Sequence, residues 1–495
     1  MGDISYICLS DMHLGEEDSL LSVPVSRGIN IDPLMASPVM KSLVACLEEL
    51  ISHNQDQTKK PVLILNGDIF ELALSTTNKA AMVFDRFIEL TMIKDGGNKP
   101  LFEDIILIPG NHDHHLWEAA RESQYINYLQ KMTDPSIQLE DERHTTNLFL
   151  HRQKIEVPCN MLTRLLQRYQ YKTGYEHLAQ KSVIIHYPGL GLLNEDKTRC
   201  VIFDHGHYIE QLYHMMTYLK ETFFPSQKRQ LNSNEIETEN FAWIDFVWSS
   251  LGRQGDVGRD VETIYEKLSY EKGRLELVDK LSGKLAEQIN TPGIWKSLEQ
   301  RIIKQLMKWG LQHPLNSLAE RERTQKGKVL SSDAEKGLTS YMEYPLKMKI
   351  INENHQVPGE VTFVFGHTHK PFQDVRQFKG YPGLVKVYNT GGWVVETFEH
   401  RETNHGASVV LVDDELNTTS IRMYNEAESP SLYRVKVEQA STQNNPFHER
   451  IKNLVESPPT PEAFEKWRTF SREAAKAVEE RSANLQYRAQ AAGYL

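Results

Sequence analysis

Cysteine is scarce in this sequence, which has four in 495 residues and no C-x-x-C pair. The scarcity excludes a disulfide framework and a cysteine-based zinc finger, and it suits a reducing compartment. No apolar run reaches the roughly 20 residues that a membrane-spanning helix needs. The first residues, MGDISYICLSD, lack the basic and long apolar regions of a secretion signal. We therefore expect a cytoplasmic protein.

The sequence also has no excess of positive charge. It contains 56 Lys and Arg residues and 67 Asp and Glu residues, which gives a net charge of −11. This balance argues against a surface built mainly to neutralise nucleic-acid phosphates, although a local basic groove stays open. The hydrophobic content of 40% is enough for a buried core. The length predicts a large catalytic body with at least one further unit.

Short β-rich runs that end abruptly in polar residues recur along the chain. They are ISYICLSDMH (4–13), PVLILNGD (61–68), DIILIPGNHD (104–113), TRCVIFDHGH (198–207) and VTFVFGHTH (361–369). Their continuous apolar character predicts strands buried on both faces of a layered α/β fold, so their polar ends should cluster. Between the first two runs, residues 39–51 keep helical spacing behind the Ser37-Pro38 start signal, which predicts a βαβ unit.

Strand-like runs are absent from 208–357, which favours several helices joined by polar loops. This helical insertion would split the core into 1–207 and 358–425. Its clearest helix, PGIWKSLEQRIIKQLMKW (292–309), has an apolar face opposite a basic one. We expect this helix to pack on its neighbours, with peripheral contact to a membrane surface as the alternative.

The C-terminal part of the core and the tail have distinct patterns. The runs ASVVLVDD (407–414) and TSIRMY (419–424) predict a second sheet that finishes the core. Residues 426–459 are enriched in Ser, Asn and Pro, which indicates a linker at the start of the tail, 426–495. Thr460-Pro461 then begins a final helix, whose apolar stripe includes Phe464, Trp467 and Phe470 and should dock on the core or on a partner.

The polar residues that close the strands form an ordered set of oxygen and nitrogen donors. They are Asp11, His13, Asp68, Asn111, His112, Asp113, His205, His207, His367 and His369. Each short motif alone occurs by chance in many proteins, but the set D-x-H, G-D, G-N-H-D, H-G-H and G-H-T-H behind five strands is specific. Hard and borderline donors without a thiolate describe a dinuclear divalent-metal site.

The blocks SDMH, NGD, GNHD, DHGH and GHTH resemble the signature blocks of the calcineurin-like metallophosphoesterase superfamily, in the same order. The resemblance covers 1–207 and 358–425. It implies an α/β sandwich of two mixed β-sheets flanked by helices, with the helical insertion and the C-terminal helix added. It also implies two divalent metal ions, for which the mixed donors suit manganese, iron or zinc.

The resemblance further implies a role for each residue. One metal would be held by Asp11, His13 and His369, the other by Asn111, His205 and His367, and Asp68 would bridge them. His112 resembles the family's catalytic histidine, which faces the leaving-group oxygen, and Asp113 would orient it and stabilise its charge.

Other histidines lie close to these blocks. His207 lies on the other side of the glycine that follows His205. It is the alternative metal ligand, or else a group that contacts the ligand from behind. His186 follows a strand and is expected at the rim of the site. His114 and His115 are expected at the rim or behind the ligands, because the following residues turn into a helix.

The implied activity is hydrolysis of a phosphodiester, phosphomonoester or pyrophosphate bond by a metal-activated water. NGDIFEL and GNHDHHLW are also similar to lipid-precursor pyrophosphatases, but those enzymes are far shorter and have Arg in place of His112. We expect a phosphorylated small molecule or a lipid head group as substrate, admitted by the insertion as a cap. A nuclease is the alternative function. It would need a row of Lys and Arg side chains to bind the phosphates of a nucleic acid. A non-catalytic scaffold is disfavoured because every block is intact.

Overall fold

A computed structural model describes residues 2–25, 28, 30–93, 100–152, 156–250, 328–396, 404–441 and 443–491. The predicted insertion helix at 292–309 lies outside the described residues. Within them, no helix combines the length and the apolar character needed to cross a membrane.

The described strands form two mixed sheets. They are β1 Ile4–Leu9, β2 Val62–Asn66, β3 Ile105–Ile108, β4 Ile184–Ile185, β5 Gly189–Leu193, β6 Arg199–Asp204, β7 Glu360–Phe365, β8 Phe372–Arg376, β9 Val385–Asn389, β10 Gly406–Asp413, β11 Thr418–Asn425 and β12 Lys436–Glu438. The first sheet has the order β12-β11-β10-β1-β2-β3-β4, and the second has β5-β6-β7-β9-β8. The predicted sandwich of two mixed sheets is confirmed.

Parallel pairing brings the carboxyl ends of the central strands to one edge of each sheet. β1 to β4 are parallel neighbours in the first sheet. β6, β7 and β9 are parallel neighbours in the second. The predicted site residues follow β1, β2, β3, β6 and β7, so the topology gathers them at the same edge of the sandwich.

Helices cover both outer faces of the sandwich. They are α1 Pro38–Ser52, α2 Thr77–Thr91, α3 His115–Lys131, α4 Asn160–Gln167, α5 Met215–Phe223, α6 Ser233–Ile244, α7 Ser332–Tyr341, α8 Lys347–Asn354, α9 Pro446–Glu456 and α10 Pro461–Ala491. A π-helical segment, Asp245–Ser250, continues α6, and another, Met342–Leu346, joins α7 to α8. The predicted first helix is confirmed, with the Ser37 hydroxyl capping α1 by accepting the Met40 N–H at 3.0 Å.

Alternate strand residues divide the core into three layers, as the two-residue period of a strand requires. Ile64 of β2 and Phe203 of β6 belong to a cluster that fills the space between the sheets. Leu63 faces the other way, into a cluster with helices α1, α2, α4, α9 and α10. Ile202 likewise faces α6, α7 and α8 on the outer side of the second sheet. The described helices of the insertion therefore pack on the sheet that carries β6 and β7.

Two predictions for the C-terminal half are wrong in detail. β10 and β11 do not start a second sheet but extend the first, because β10 pairs antiparallel with β1. The predicted linker at 426–459 contains the edge strand β12 and the helix α9, which packs Ile451 into the core with no exposed surface. The Asn445-Pro446 pair is a helix start, since the Asn445 side chain accepts the His448 N–H.

The final helix docks on the core of its own chain. Thr460 accepts the Ala463 N–H at its start, as the sequence predicted. Phe470 is fully buried and meets Trp393 edge to face, with ring centroids 6.2 Å apart. Phe464, on the same predicted stripe, is instead 54% exposed.

Replacing Phe470 by alanine should lower the free energy of unfolding by about 3–5 kcal/mol, because it leaves a cavity in a packed core. Urea denaturation measures the change. Phe464→Ala is the matched control and should stay within about 0.5 kcal/mol of the wild type. Equal effects of the two variants would contradict docking of α10 through its buried face.

Candidate metal centre

The predicted metal ligands lie together at the carboxyl ends of β1, β2, β3, β6 and β7. They are Asp11, His13, Asp68, Asn111, His205, His367 and His369, and each is at most 1% exposed. Burying so many ionisable groups in one place is unfavourable unless something compensates their charges. The arrangement therefore points to cations bound among them.

One cluster consists of Asp11, His13 and His369. The two Nε2 atoms of His13 and His369 are 3.2 Å apart, and His369 Nε2 lies 3.4 Å from Asp11 Oδ1. Two imidazole nitrogens and a carboxylate oxygen directed at the same point are suitable donors for a divalent transition metal.

A second cluster consists of Asp68, His205 and His367, with Asn111 beside it. His205 Nε2 lies 3.2 Å from Asp68 Oδ2 and 3.1 Å from Asn111 Oδ1. The same Asp68 oxygen lies 3.8 Å from His13 Nε2 in the first cluster. Asp68 therefore lies between the clusters, at the position that a bridging carboxylate needs.

The remaining ring nitrogens of three of these histidines have oxygen partners. His205 Nδ1 lies 3.2 Å from the Asn66 carbonyl oxygen, and His13 Nδ1 lies 2.8 Å from Glu71 Oε2. His369 Nδ1 lies 2.6 Å from Glu396 Oε1. Metal-binding histidines are oriented in this way, with the second nitrogen held by a carbonyl or carboxylate. The residues thus fit a pair of divalent ions.

The backbone is strained at these ligands. Five of the eight non-glycine residues with positive φ in the described part of the chain are predicted ligands: Asp11, His13, Asp68, His367 and His369. Such conformations cost on the order of 1–3 kcal/mol each and persist where the surrounding structure or a ligand compensates them. Their concentration here is independent support for a functional site.

Two glycines permit the close approach of chain to ligand. At Gly67, with φ of +84°, a Cβ atom would lie 2.2 Å from His205 Nδ1. At Gly366, a Cβ atom would lie 2.2 Å from Asp11 Oδ2. Any larger residue would displace a predicted ligand, so Gly67 of the G-D block is required by both space and conformation, and Gly366 of the G-H-T-H block by space.

The electrostatic coupling among these groups shifts their pKa values in opposite directions. Burial alone would raise the pKa of Asp68, but the His205 and His112 imidazoles hold it well below its ordinary value. Burial alone would lower the pKa of His205, but Asp68 and other carboxylates raise it to about 9. Without metal, the site therefore keeps a proton on His205 near neutral pH.

His112 is oriented by Glu71, and the prediction that Asp113 orients it is wrong. His112 Nδ1 lies 3.0 Å from Glu71 Oε1 and 2.8 Å from Glu71 Oε2. Burial would raise the pKa of Glu71, but His112 and His13 lower it to about 2, so it is a carboxylate. The sequence feature that could have predicted this pair is the position of Glu71, three residues after Asp68 in the NGDIFEL block.

Asp113 holds the loops together instead. Its two carboxylate oxygens accept the N–H groups of Gly110 at 2.6 Å and Ile69 at 2.8 Å, and Phe70 adds a longer bond at 3.3 Å. These bonds tie the end of β2 to the end of β3. Asp113 therefore fixes the turn that presents His112, without contacting its ring nitrogens.

The other histidines are more deeply placed than the sequence predicted. His186 and His114 are fully buried and not at a rim. His114 Nε2 pairs with Glu237 Oε1 of α6 at 2.9 Å, and the half-buried His115 pairs with Asp245 at 3.1 Å. His207 lies behind His205, with ring centroids 5.6 Å apart.

The insertion contributes several groups that the sequence did not indicate. Ser249 Oγ donates to the Asn111 carbonyl at 2.7 Å, and the centroids of the Trp248 and His112 rings are 5.8 Å apart.

The insertion also contacts His367 of the second cluster. The centroids of the Tyr213 and His367 rings are 5.2 Å apart. Glu210 Oε1 lies 2.8 Å from His367 Nε2. No local pattern marks these residues, since their positions depend on how the insertion folds back over the site.

Metal binding should release a proton from the site. Because His205 must be neutral to ligate and its pKa is raised to about 9, Mn²⁺ should bind more tightly as the pH rises towards that value. Calorimetric titration of metal-free protein in buffers of different ionisation enthalpy measures the release.

The matched variants His205→Gln and His207→Gln test which histidine is the ligand. His205→Gln should weaken metal binding and abolish the proton release. Burial lowers the pKa of His207 well below its ordinary value, so it carries no proton to release. A loss of proton release in His207→Gln alone would reverse the assignment.

Comparison with known proteins accounts for this arrangement. A family model described as calcineurin-like phosphoesterase matches residues 4–250, which include β1 to β6 and the first part of the insertion. A search of curated proteins found no match. Members of the family use two metal ions to hydrolyse phosphoric esters, and the two clusters of this chain are candidate donors for such ions. The chain belongs to the calcineurin-like phosphoesterase family.

Proposed function

We propose that the protein is a metal-dependent phosphoesterase that hydrolyses a phosphodiester, phosphomonoester or pyrophosphate bond in a small phosphorylated molecule or lipid head group. The observation that carries the proposal is the convergence of the two clusters on Asp68, with the His112–Glu71 pair directly beside them. Ligands for two cations and an oriented proton donor are the components that in-line phosphoryl displacement requires.

The chain's residues divide between binding and positioning. Asp11, His13 and His369 would hold one ion, and Asn111, His205 and His367 the other, with Asp68 shared. Bound manganese, iron or zinc would polarise the phosphoryl oxygens and lower the pKa of a bound water. Asp68 is itself held in place, since its Oδ1 accepts the His112 N–H at 2.8 Å.

His112 is the proposed proton donor to the leaving-group oxygen. Its Nδ1 faces the Glu71 carboxylate, which favours a proton on that nitrogen and leaves Nε2 to exchange a proton with the substrate. Trp248 packs against the ring and limits the access of water. The histidine is 5% exposed, so little of its ring is open to solvent.

The cover over the site favours a small substrate over a nucleic acid. Tyr213 and Trp248 contact each other, with ring centroids 5.5 Å apart, and each also contacts one site histidine. A buried, aromatic-walled centre suits a phosphorylated head group better than a rigid duplex. The alternative function remains a nuclease that acts on single-stranded nucleic acid, since a single strand is thinner and more flexible than a duplex.

A substrate panel tests the activity. With Mn²⁺, the protein should hydrolyse at least one of bis(4-nitrophenyl) phosphate, 4-nitrophenyl phosphate and a nucleoside-diphosphate-linked head group, and should act more slowly on single-stranded DNA. Asp68→Ala should abolish the activity because both ions lose a ligand. Full activity in Asp68→Ala, or none on any substrate with metal bound, would contradict the proposal.

The leaving group tests the role of His112. His112→Ala should lower kcat about 10²–10⁴-fold on an alkyl phosphodiester, which needs a protonated leaving group. The loss should be much smaller on a nitrophenyl ester, whose leaving group is already stable as an anion. An equal loss on both substrates would exclude a general-acid role.

Glu71→Gln and Asp113→Asn separate positioning of His112 from stabilisation of the loops. Glu71→Gln should shift the pH profile of kcat and lower the unfolding temperature less than Asp113→Asn does, because the amide oxygen of glutamine can still accept the Ala73 and Leu74 N–H groups that bind Glu71 Oε1. Asp113→Asn should lower the unfolding temperature, because Asp113 holds the backbone N–H groups of two loops. The reverse pattern would restore Asp113 as the partner of His112.

A further inference from the structure

A polar groove lies where the insertion meets the core, outside the two metal clusters. It comprises two adjoining cavities of about 390 and about 370 Å³. Their shared walls are Arg143, Thr145, Thr146, Asn147, Asn352 and Glu353. The first cavity reaches Trp117 of α3, and the second reaches the start of α6 and Lys349 of α8. None of these residues belongs to the predicted metal centre.

The groove is rich in cations whose charges are not neutralised by its own carboxylate. Arg143, Arg152 and Lys349 line it, against the single carboxylate of Glu353. Glu353 is already engaged, since its two oxygens accept the N–H groups of Leu148 at 2.8 Å and Phe149 at 3.1 Å. The groove therefore presents excess positive charge to whatever enters it.

The Lys349 ammonium is the most unusual of these groups. Its Nζ is buried and has no hydrogen-bond partner among the residues that the structure describes. Burial lowers its pKa to about 8, so it is mostly charged at neutral pH. A buried ammonium without a hydrogen bond is unfavourable, which indicates that an anion completes its environment.

The carboxylates nearest to Lys349 are committed elsewhere. Besides Glu353, its charge interacts with Asp204 and Glu237. Asp204 accepts the Tyr341 hydroxyl at 2.6 Å, and Glu237 accepts the Tyr187 hydroxyl at 2.9 Å. Glu237 also pairs with His114. These bonds hold the carboxylates away from hydrogen-bonding distance of the ammonium.

A second buried donor lies in the same groove. Trp117 is 1% exposed, and its indole Nε1 has no acceptor within the described part of the chain. Buried indole N–H groups normally find a partner. Each of the two adjoining cavities is therefore lined by a residue with a buried donor that lacks an acceptor within the described part of the chain, Trp117 in the first and Lys349 in the second.

We propose that this groove is a second binding site, which takes a small molecule through a phosphate group. In the second cavity a phosphate would meet the planar fork of Arg143 and the Lys349 ammonium, and Arg152 adds positive charge in the adjoining first cavity. A cavity of several hundred Å³ leaves room for an organic group on the phosphate. The site does not depend on the metal centre for any of its donors.

The test is a calorimetric titration of the full-length metal-loaded protein with inorganic phosphate, repeated after chelation. Phosphate should bind in two events, of which only the event at the metals is lost on chelation. Lys349→Met should weaken the chelator-resistant event at least about tenfold. Lys347→Met is the matched control on α8, because its ammonium donates to the Lys379 carbonyl, and it should change neither event.

Arg143→Met provides a second variant at an exposed position and should weaken the same event several-fold. Phenylphosphonate, which is not hydrolysed, distinguishes an organic phosphate from the free ion and should bind the groove more tightly than inorganic phosphate. Equal binding of both would assign the groove to free phosphate. Absence of a chelator-resistant event, or one that is unchanged in both groove variants, would overturn the proposal without bearing on hydrolysis.

Stability gives an independent readout. Without phosphate, Lys349→Met should unfold at a temperature equal to or above that of the wild type, because it removes a buried charge that lacks a hydrogen bond. With phosphate, the wild type should gain more stability than the variant. A clear destabilisation of Lys349→Met in phosphate-free buffer would show instead that the three carboxylates are its true partners.

Discussion

The site depends on one buried carboxylate, Asp68, which contacts both halves of a charged cluster. It lies between His13 of the first cluster and His205 of the second. The turn that carries it has positive φ and is closed by Gly67. Burial removes the hydration of two carboxylates and several imidazoles, and bound cations would compensate the charge of the carboxylates. The strain at five ligands has the same explanation, since metal binding can offset it.

Glu71 connects the acid to the metal ligands. One of its oxygens lies 2.8 Å from both His13 Nδ1 and His112 Nδ1, so a single carboxylate orients a ligand and the proton donor. A displacement in the first cluster would therefore reach His112 directly. The insertion adds a second constraint, because Trp248 packs against the His112 ring and Ser249 donates to the carbonyl of the neighbouring Asn111.

The sequence was sufficient where the signal is local. Apolar runs that end in polar residues predicted the strands and the polar residues that gather at their ends, because a buried strand must end where charged groups begin. The partner of His112 was missed because Asp113 is its neighbour in sequence, whereas the turn directs that carboxylate towards Gly110 and Ile69. The membership of β10 in the first sheet was missed because its partner, β1, is just over 400 residues away along the chain, with Ile4 paired to Asp413 and Cys8 to Val410. Trp248 and Glu237 carry no local pattern at all.

The most direct test of the account is anomalous X-ray diffraction at the manganese edge from crystals of the Mn²⁺-loaded protein. If two ions bind as proposed, the anomalous difference map should show two manganese peaks about 3.5–4 Å apart, as in other dinuclear sites. One should lie among Asp11, His13 and His369, the other among Asn111, His205 and His367, and Asp68 should contact both. A single peak, or peaks bound by His112 or His207 in place of these ligands, would contradict it.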